Sequence, residues 1–168
     1  MPPAYHLAQL NIASTLAPLD DPIMKGFVDQ LDYINAVADR SEGFVWRLQT
    51  EDGDATAIRA FDDDRIIVNM SVWESLEALH DYVYRGDHLG PLRDRKKWFT
   101  PIEGPSLVLW WIPAGHPPSV TEGKERLEHL RVQGPTAFAF SFKKWFPPPG
   151  SSDPNAFRFD YQGCDWVS

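Results

Sequence analysis

The stretch RIIVNMSVW, residues 65–73, decides the fold of this chain. Apolar side chains alternate along it, which predicts a strand with one apolar side. A polar, acidic loop over residues 50–64 separates it from a second alternating stretch over residues 44–49. Because no helix lies between them, the two strands are predicted to be antiparallel neighbours. The residues that point to the apolar side of the first stretch are Ile66, Val68, Met70 and Val72.

Toward the N-terminus, the pattern predicts a helix preceded by a strand. Residues 5–13 alternate in polarity, as a strand does. Asp21 is suited to cap a helix over residues 22–38, with Pro22 at its first position, and Gly43 follows its end. The apolar stripe of this helix, suited to lie on a sheet, is Ile23, Phe27, Leu31, Ile34 and Ala38.

Toward the C-terminus, a second helix and a further strand are predicted. Ser75 is a candidate N-cap for the helix, and Asp87 for a further helical piece over residues 88–99. Residues 106–112 are apolar on both sides, so this strand is predicted to be central in the sheet or covered on both faces.

A last helix and a closing strand complete the prediction. Ser119 and Glu122 form a capping box for a helix that ends near Gly134. Residues 137–142 are a candidate closing strand. We predict one domain over residues 1–146, followed by a Pro/Gly/Ser-rich linker and an aromatic tail over 147–168.

The predicted order is strand, helix, strand, strand, helix, strand. This βαββαβ order defines a ferredoxin-like α+β fold with an antiparallel sheet. Helices on one face of such a sheet leave the other face bare, and a bare aromatic face needs a cover. We predict that a second copy supplies it, so that a homodimer closes an α/β barrel around a cavity.

Composition excludes several classes of protein. The formal charge of −8 argues against a nucleic-acid partner, because such a surface repels phosphate. The longest apolar run, residues 107–113, is too short to cross a membrane. With a single cysteine, Cys164, and no recognisable signal segment, a cytoplasmic location is predicted. Seven Trp and ten Phe exceed what one small core needs, so some are expected in a pocket or an interface.

Three segments resemble a known but uncharacterised family. They are LAQLNIA (7–13), GFVWRLQTEDGDATAIRAFDDDRIIVNMSVWESLEALHDYVYRGDH (43–88) and GPSLVLWWIPAGHPP (104–118). They are similar to domain-of-unknown-function family 3291, and the similarity covers roughly residues 5–142. The family is placed near the antibiotic-biosynthesis-monooxygenase-like dimeric α/β barrels. That superfamily includes cofactor-independent monooxygenases, haem-degrading enzymes, haem peroxidases, aldoxime dehydratases and polyketide cyclases, so the resemblance implies a fold rather than a reaction.

His88 is the candidate catalytic residue. The family pattern has a histidine at this place, and in related barrels it faces the cavity as a base or as a metal or haem ligand. Its titration range suits a proton shuttle. The alternative is a histidine that caps or braces a helix junction.

Four residues on two neighbouring predicted strands are candidate substrate-binding residues: Trp46, Arg47, Asn69 and Trp73. A buried arginine needs a partner, which for Arg47 is a substrate carboxylate or enolate oxygen, or an acidic residue of the dimer mate. Asn69 is suited to bind a substrate carbonyl, while Trp73 is equally suited to the core. Of the adjacent Trp110 and Trp111, which point to opposite faces, we take Trp111 as the cavity residue.

The sequence predicts no metal site and no cofactor, with haem as the open alternative. None of the strong zinc spacings occurs, and residues 62–64 lack the alternation of a calcium loop. Two functions stay open. One is a monooxygenase-like or cyclase/isomerase-like enzyme that binds a small apolar or aromatic metabolite, with His88 moving a proton. The other is a non-catalytic ligand-binding or haem-binding module.

Overall fold

A computed structural model describes residues 4–49, 61–85 and 95–151 of the chain. The strands are β1 (Tyr5–Thr15), β2 (Phe44–Arg47), β3 (Ile66–Trp73), β4 (Phe99–Thr100) and β5 (Leu107–Pro113). The α-helices are α1 (Lys25–Arg40), α2 (Leu76–Arg85) and α3 (Val120–Gln133), and 3₁₀ turns lie at Pro22–Met24 and Arg95–Lys97.

The order of the strands confirms the predicted ferredoxin-like α+β fold. The sheet runs β2–β3–β1–β5, and each neighbouring pair is antiparallel. The short β4 extends the β5 edge by pairing with Ser14 and Thr15 at the end of β1. β1 is therefore central, and each helical crossover skips one strand, as the split βαβ arrangement requires.

The two faces of the sheet have different covers. The odd-numbered residues of β1, such as Leu7, share a core with Leu76 and Leu79 of α2. We call this side the helix-pair face, because α1 also lies over it. The even-numbered residues, such as Leu10, share a core with Leu127 of α3, and we call that side the α3 face.

The face that was expected to be bare is covered within the chain. α3 packs Leu127 and Leu130 onto it, and none of its buried sheet residues is more than 4% exposed. The expectation of a bare face was therefore wrong, because the sequence predicted the last helix without showing where it packs. The homodimer itself stays a prediction.

The N-terminus of α3 has the predicted capping box and an unusually close approach to the sheet. The Ser119 hydroxyl accepts a hydrogen bond from the backbone N–H of Glu122 at 3.0 Å. One residue further on, a Cβ added to Gly123 would lie 2.7 Å from Cδ1 of Leu10 and 3.3 Å from Sδ of Met70. The absence of a Cβ at Gly123 lets the helix lie this near to β1 without displacing the Leu10 side chain.

β5 is covered on both faces, as its two-sided apolar pattern predicted. Each residue from Leu107 to Ile112 is buried. The predicted closing strand over 137–142 is reduced to a single bridge, in which Phe140 and Leu109 exchange backbone hydrogen bonds of 2.8 and 2.9 Å.

The predicted helix over 88–99 lies mostly outside the described residues, but its end differs from the prediction. Phe99 is part of β4, where it pairs with Thr15, instead of ending a helix. Its ring packs edge-on against Phe27 of α1 at 5.0 Å, so contacts distant in sequence decide its conformation.

Within the described ranges, no helix has both the length and the apolar character needed to cross a membrane. The predicted boundary at residue 146 also stays a prediction, since the structure describes the chain only to residue 151.

Candidate functional site

The predicted site residues do not form one cluster. The β2–β3 register pairs Trp46 with Val72, which puts Trp46 on the α3 face. Arg47, Asn69, Trp73 and Trp111 all lie on the helix-pair face. His88 lies outside the described residues, so its place in the fold stays a prediction.

Trp73 is completely buried in the core under α2. Its ring stacks on Tyr82 at 5.0 Å and meets the edge of Phe44 at 5.5 Å. Its indole N–H donates a hydrogen bond of 2.8 Å to the hydroxyl of Ser71. Protein surrounds the ring on all sides, and its hydrogen bond to Ser71 is its link to the polar side chains of this face.

Trp111 lies at the far end of the same face. It pairs with Leu7, whereas Asn69 pairs with Asn11, four residues further along β1. At about 3.4 Å a residue, this is roughly 14 Å of strand. The Trp111 indole donates to the carbonyl of Phe146 at 2.8 Å. Trp111 borders a separate shallow cavity of about 300 Å³, beside residues 148–151.

Arg47 has a partner within its own chain. Its Nε lies 2.8 Å from Oδ1 of Asp39 and its Nη2 lies 3.3 Å from Oδ2, a two-point ion pair that joins β2 to α1. The expected partners were a substrate oxygen or an acidic residue of a dimer mate. The structural salt bridge is present, but Asp39 supplies it from eight residues earlier in the chain.

Tyr82 lies next to this ion pair, and its hydroxyl is hard to ionise. Burial raises the pKa of Tyr82 to about 12, the negative charge of Asp39 adds to the rise, and Arg47 opposes it. The hydroxyl donates a long hydrogen bond of 3.4 Å to the carbonyl of Ile34 in α1. It therefore stays protonated at neutral pH and ties α2 to α1.

A row of hydrogen-bonded amides crosses the centre of the helix-pair face. The side-chain nitrogen of Gln9 donates to Oδ1 of Asn69 at 2.6 Å and to the hydroxyl of Ser71 at 2.7 Å. Ser71 also accepts the indole N–H of Trp73. Gln9 is 4% exposed and Asn69 is exposed, so a buried amide holds a solvent-accessible one in place.

The helix-pair face changes from buried to exposed between two neighbouring rows of residues. A row here means the residues that lie side by side on adjacent strands. The row through Gln9 and Ser71 is buried, whereas Asn69 in the next row is exposed. Burial returns at Thr15, which is 2% exposed. We call the residues between these limits the open stretch: Asn69 is exposed, and Asn11, Ala13 and Ile67 are partly exposed.

α1 passes over the open stretch and is fastened at both ends. Phe27 contacts Phe99 of β4 near its start, and Asp39 pairs with Arg47 of β2 near its end. The twelve residues between these contacts span about 18 Å of helix. α1 therefore crosses this face from the β4 edge to β2, over the strands β1 and β3 that carry the open stretch.

This arrangement suits a small, flat, mostly apolar ligand. Ala13 and Ile67 supply apolar floor, and half-buried Leu31 lies on the inward side of α1. Gln9 holds the oxygen of the Asn69 amide, and the nitrogen of that amide makes no hydrogen bond within the described chain. A hydrogen-bond donor is therefore held ready beside an apolar surface, as in sites that bind carbonyl oxygens.

The described part of the chain contains no cluster of three or more residues able to hold a metal ion. Its open stretch also has no histidine among its floor residues. Haem binding stays a prediction, with His88 as its candidate ligand.

Sequence reasoning missed Gln9 and Ser71, which hold Asn69 in place. A signal was present, because Gln9 and Asn11 fall on the same side of β1, where a central strand normally carries apolar residues. Two amides in alternation on a central strand indicate a polar patch within a sheet face.

The fold and the open stretch define a ferredoxin-like α+β protein with a candidate small-molecule site between its sheet and α1. The chain belongs to the family described as Domain of unknown function (DUF3291), whose model matches residues 6–156. The family model matches as far as residue 156. The resemblance seen in the sequence ended near residue 142, so the family match reaches further, into the tail predicted over residues 147–168. No curated protein is similar enough in sequence to count as a relative.

Several solved structures are similar to the chain in outline. SnoaB, a cofactor-independent oxygenase from Streptomyces nogalater, is 18% identical with a TM-score of 0.42, over 68% of this chain and 97% of that one. PA3566 from Pseudomonas aeruginosa is 12% identical with a TM-score of 0.43, over 66% and 95%. NE2512 from Nitrosomonas europaea, a protein of unknown function, is 9% identical with a TM-score of 0.43, over 69% and 97%. Likenesses this distant transfer no function to this chain.

Proposed function

We propose that this chain binds a small apolar or aromatic molecule in the open stretch and donates a hydrogen bond to its oxygen from the Asn69 amide. One observation carries the proposal: Asn69 is exposed in the middle of a sheet face, with its oxygen fixed by Gln9 and its nitrogen unpaired in the described chain. A polar group held in one orientation beside apolar surface provides the orientation of a ligand rather than its bulk affinity.

The reaction class that suits this site is proton removal next to a carbonyl group. When a base takes the proton, the electron pair of the broken C–H bond moves onto the oxygen, and an enolate forms. A donor already aimed at that oxygen stabilises the charge as it develops. Cofactor-independent monooxygenase-like and cyclase/isomerase-like reactions both begin in this way, and His88 is our candidate for the base.

Binding of a ketone probe tests the role of Asn69. We expect Asn69→Ala to weaken binding of 1-tetralone about three- to tenfold, the value of one neutral hydrogen bond. Binding of 1-methylenetetralin, in which a CH₂ group replaces the oxygen, should not change. Isothermal titration calorimetry of both probes measures the difference.

Gln133→Ala is the matched control, because it removes an exposed amide from the end of α3, on the other side of the sheet. It should bind both probes as the unmodified protein does. An equal loss of both probes in Asn69→Ala, or no binding of 1-tetralone to the unmodified protein, would contradict the proposal.

A second candidate function is binding without catalysis. It is favoured by Arg47, because this residue is engaged by Asp39 instead of being held ready for a substrate charge. Ligand binding with neither oxygen uptake nor exchange of the α-protons of bound 1-tetralone with deuterium from solvent would support this candidate.

Two further parts of the proposal do not depend on Asn69. A homodimer is supported by the resemblance to dimeric barrels, and a cytoplasmic location is supported by the single cysteine.

A further inference from the structure

The cavity beside Trp111 lies where β1 begins and where β3 and β5 end. Its volume of about 300 Å³ suits a small molecule. It is separate from the open stretch, and the proposed function does not use it. Together with Trp111, its walls include Tyr5, Glu74, Ser75, Pro148 and Pro149.

Most of these walls are apolar or aromatic. Tyr5 and Trp111 are diagonal neighbours on one face of the sheet, because Tyr5 pairs with Pro113 and Leu7 pairs with Trp111. Tyr5 is partly exposed and offers the larger aromatic surface, since Trp111 is only 9% exposed and its indole N–H is bound to the carbonyl of Phe146.

The charge of the cavity comes from Glu74. This exposed residue follows β3 directly, and its backbone N–H donates to the carbonyl of Gly43 at 2.7 Å. Its carboxylate makes no hydrogen bond or ion pair with the described residues, and no Lys, Arg or His is among the described residues of the walls. A negative charge therefore lies beside apolar surface without a counter-charge from the protein.

The start of α2 does not reverse this charge. Ser75 caps the helix, because its hydroxyl accepts the backbone N–H of Ala78 at 3.1 Å. The partial positive charge of the helix N-terminus is further offset by Glu77 in the first turn. A chain with a formal charge of −8 adds no general attraction for anions.

We propose that this cavity is a second binding site, which takes a small organic cation such as a quaternary ammonium group. Glu74 supplies the opposite charge, and Tyr5 and the two prolines contact the methyl groups that surround the ligand's charge. The face of an aromatic ring attracts a cation of this kind. Such a cation suits these walls better than a small inorganic ion, which would keep its water shell.

The test compares two probes that differ in charge alone. Choline and 3,3-dimethylbutan-1-ol have the same shape and the same hydroxyl, with a nitrogen in one and a carbon in the other. We expect choline to bind the unmodified protein about tenfold more tightly. Its affinity should fall as sodium chloride is added, whereas that of the neutral probe should not. Titrations followed by NMR measure both affinities.

Glu74→Gln should weaken choline binding about three- to tenfold and leave the neutral probe unchanged. Glu125→Gln is the matched control, because Glu125 is an exposed carboxylate of α3, on the other side of the sheet. Tyr5→Leu should weaken choline binding about threefold, whereas Tyr5→Phe, which keeps the ring, should not.

Three outcomes would overturn this inference: equal affinity for the two probes, no binding of choline to the unmodified protein, or an equal loss in Glu74→Gln and Glu125→Gln. Neither glutamate belongs to the open stretch, so 1-tetralone should bind these variants as it binds the unmodified protein. Failure of choline to bind would therefore leave the proposed function standing.

Discussion

At the scale of single residues, amides rather than aromatic rings distinguish the candidate site. The tryptophans singled out from the sequence are largely committed to packing: Trp73 is fully buried, and the indole of Trp111 is bonded to Phe146. Asn69, by contrast, is exposed and fixed by Gln9. Large rings give area for any contact, whereas an amide held in one orientation selects a particular ligand atom.

Tyr82 gives a residue-scale prediction for stability at alkaline pH. Its pKa is raised to about 12 in the folded protein, against an ordinary value of 10.0. Between these values the unfolded chain ionises Tyr82 and the folded chain does not, so the raised pKa contributes stability below pH 10 that is lost as pH rises toward 12. We expect Tyr82→Phe to flatten that part of the pH profile.

Chemical denaturation at several pH values between 9 and 12 measures this difference. Tyr33→Phe is the control, because Tyr33 is 50% exposed and should leave the profile of the unmodified protein in place. A profile in which Tyr82→Phe loses stability as steeply as the unmodified protein would contradict the prediction.

At the scale of elements, α3 and α1 pack on opposite faces of the sheet in different ways. α3 lies close to the sheet at Gly123, which lacks a Cβ, and its leucines complete an apolar core. α1 is fastened by Phe27 and Asp39 near its ends and leaves the strands below its middle partly uncovered. The first arrangement contributes stability, and the second leaves space for a ligand.

Gly123 gives the prediction at this scale. Alanine is favoured over glycine inside a helix by about 1 kcal/mol, but a methyl group 2.7 Å from Leu10 would overpack the core. Overpacking costs about 1–3 kcal/mol. We therefore expect Gly123→Ala to destabilise the protein, by up to about 2 kcal/mol after the helix preference is subtracted.

Urea unfolding measures this change, and Thr121→Ala is its control. Thr121 is exposed in the same helix, so its replacement should be neutral or stabilising by a few tenths of a kcal/mol. Should Gly123→Ala raise stability as well, α3 would not approach β1 as closely as described.

At the scale of the whole molecule, the sheet is enclosed by its own chain on the α3 face and only partly on the helix-pair face. A second copy is therefore not needed to cover the α3 face, although the resemblance to dimeric barrels still predicts a homodimer. Exposed apolar side chains of the kind that interfaces use remain elsewhere, among them Ile23 and Tyr33.

Sedimentation velocity tests the homodimer directly. We expect a species of twice the 19.1 kDa chain mass, with its proportion rising as the protein concentration rises. A single species of 19.1 kDa at every concentration would show that the chain acts as a monomer.

The sequence alone predicted most of the elements and the order of the main ones. Alternation over 65–73, the capping residues Asp21 and Ser119, and the two-sided apolar strand of β5 are local signals, because each depends on side chains a few residues apart. All of them correspond to elements of the structure, and the order they define is that of a ferredoxin-like fold.

Only the tertiary structure decided which helices and side chains cover each face of the sheet. The register between β2 and β3 sends Trp46 and Arg47 to opposite faces, and a one-residue slip would exchange them. The packing of α3, the Asp39 partner of Arg47 and the uncovered row at Asn69 arise between segments far apart in the chain. Such contacts depend on how finished elements fit together, and periodicity within one element does not show which other elements it meets.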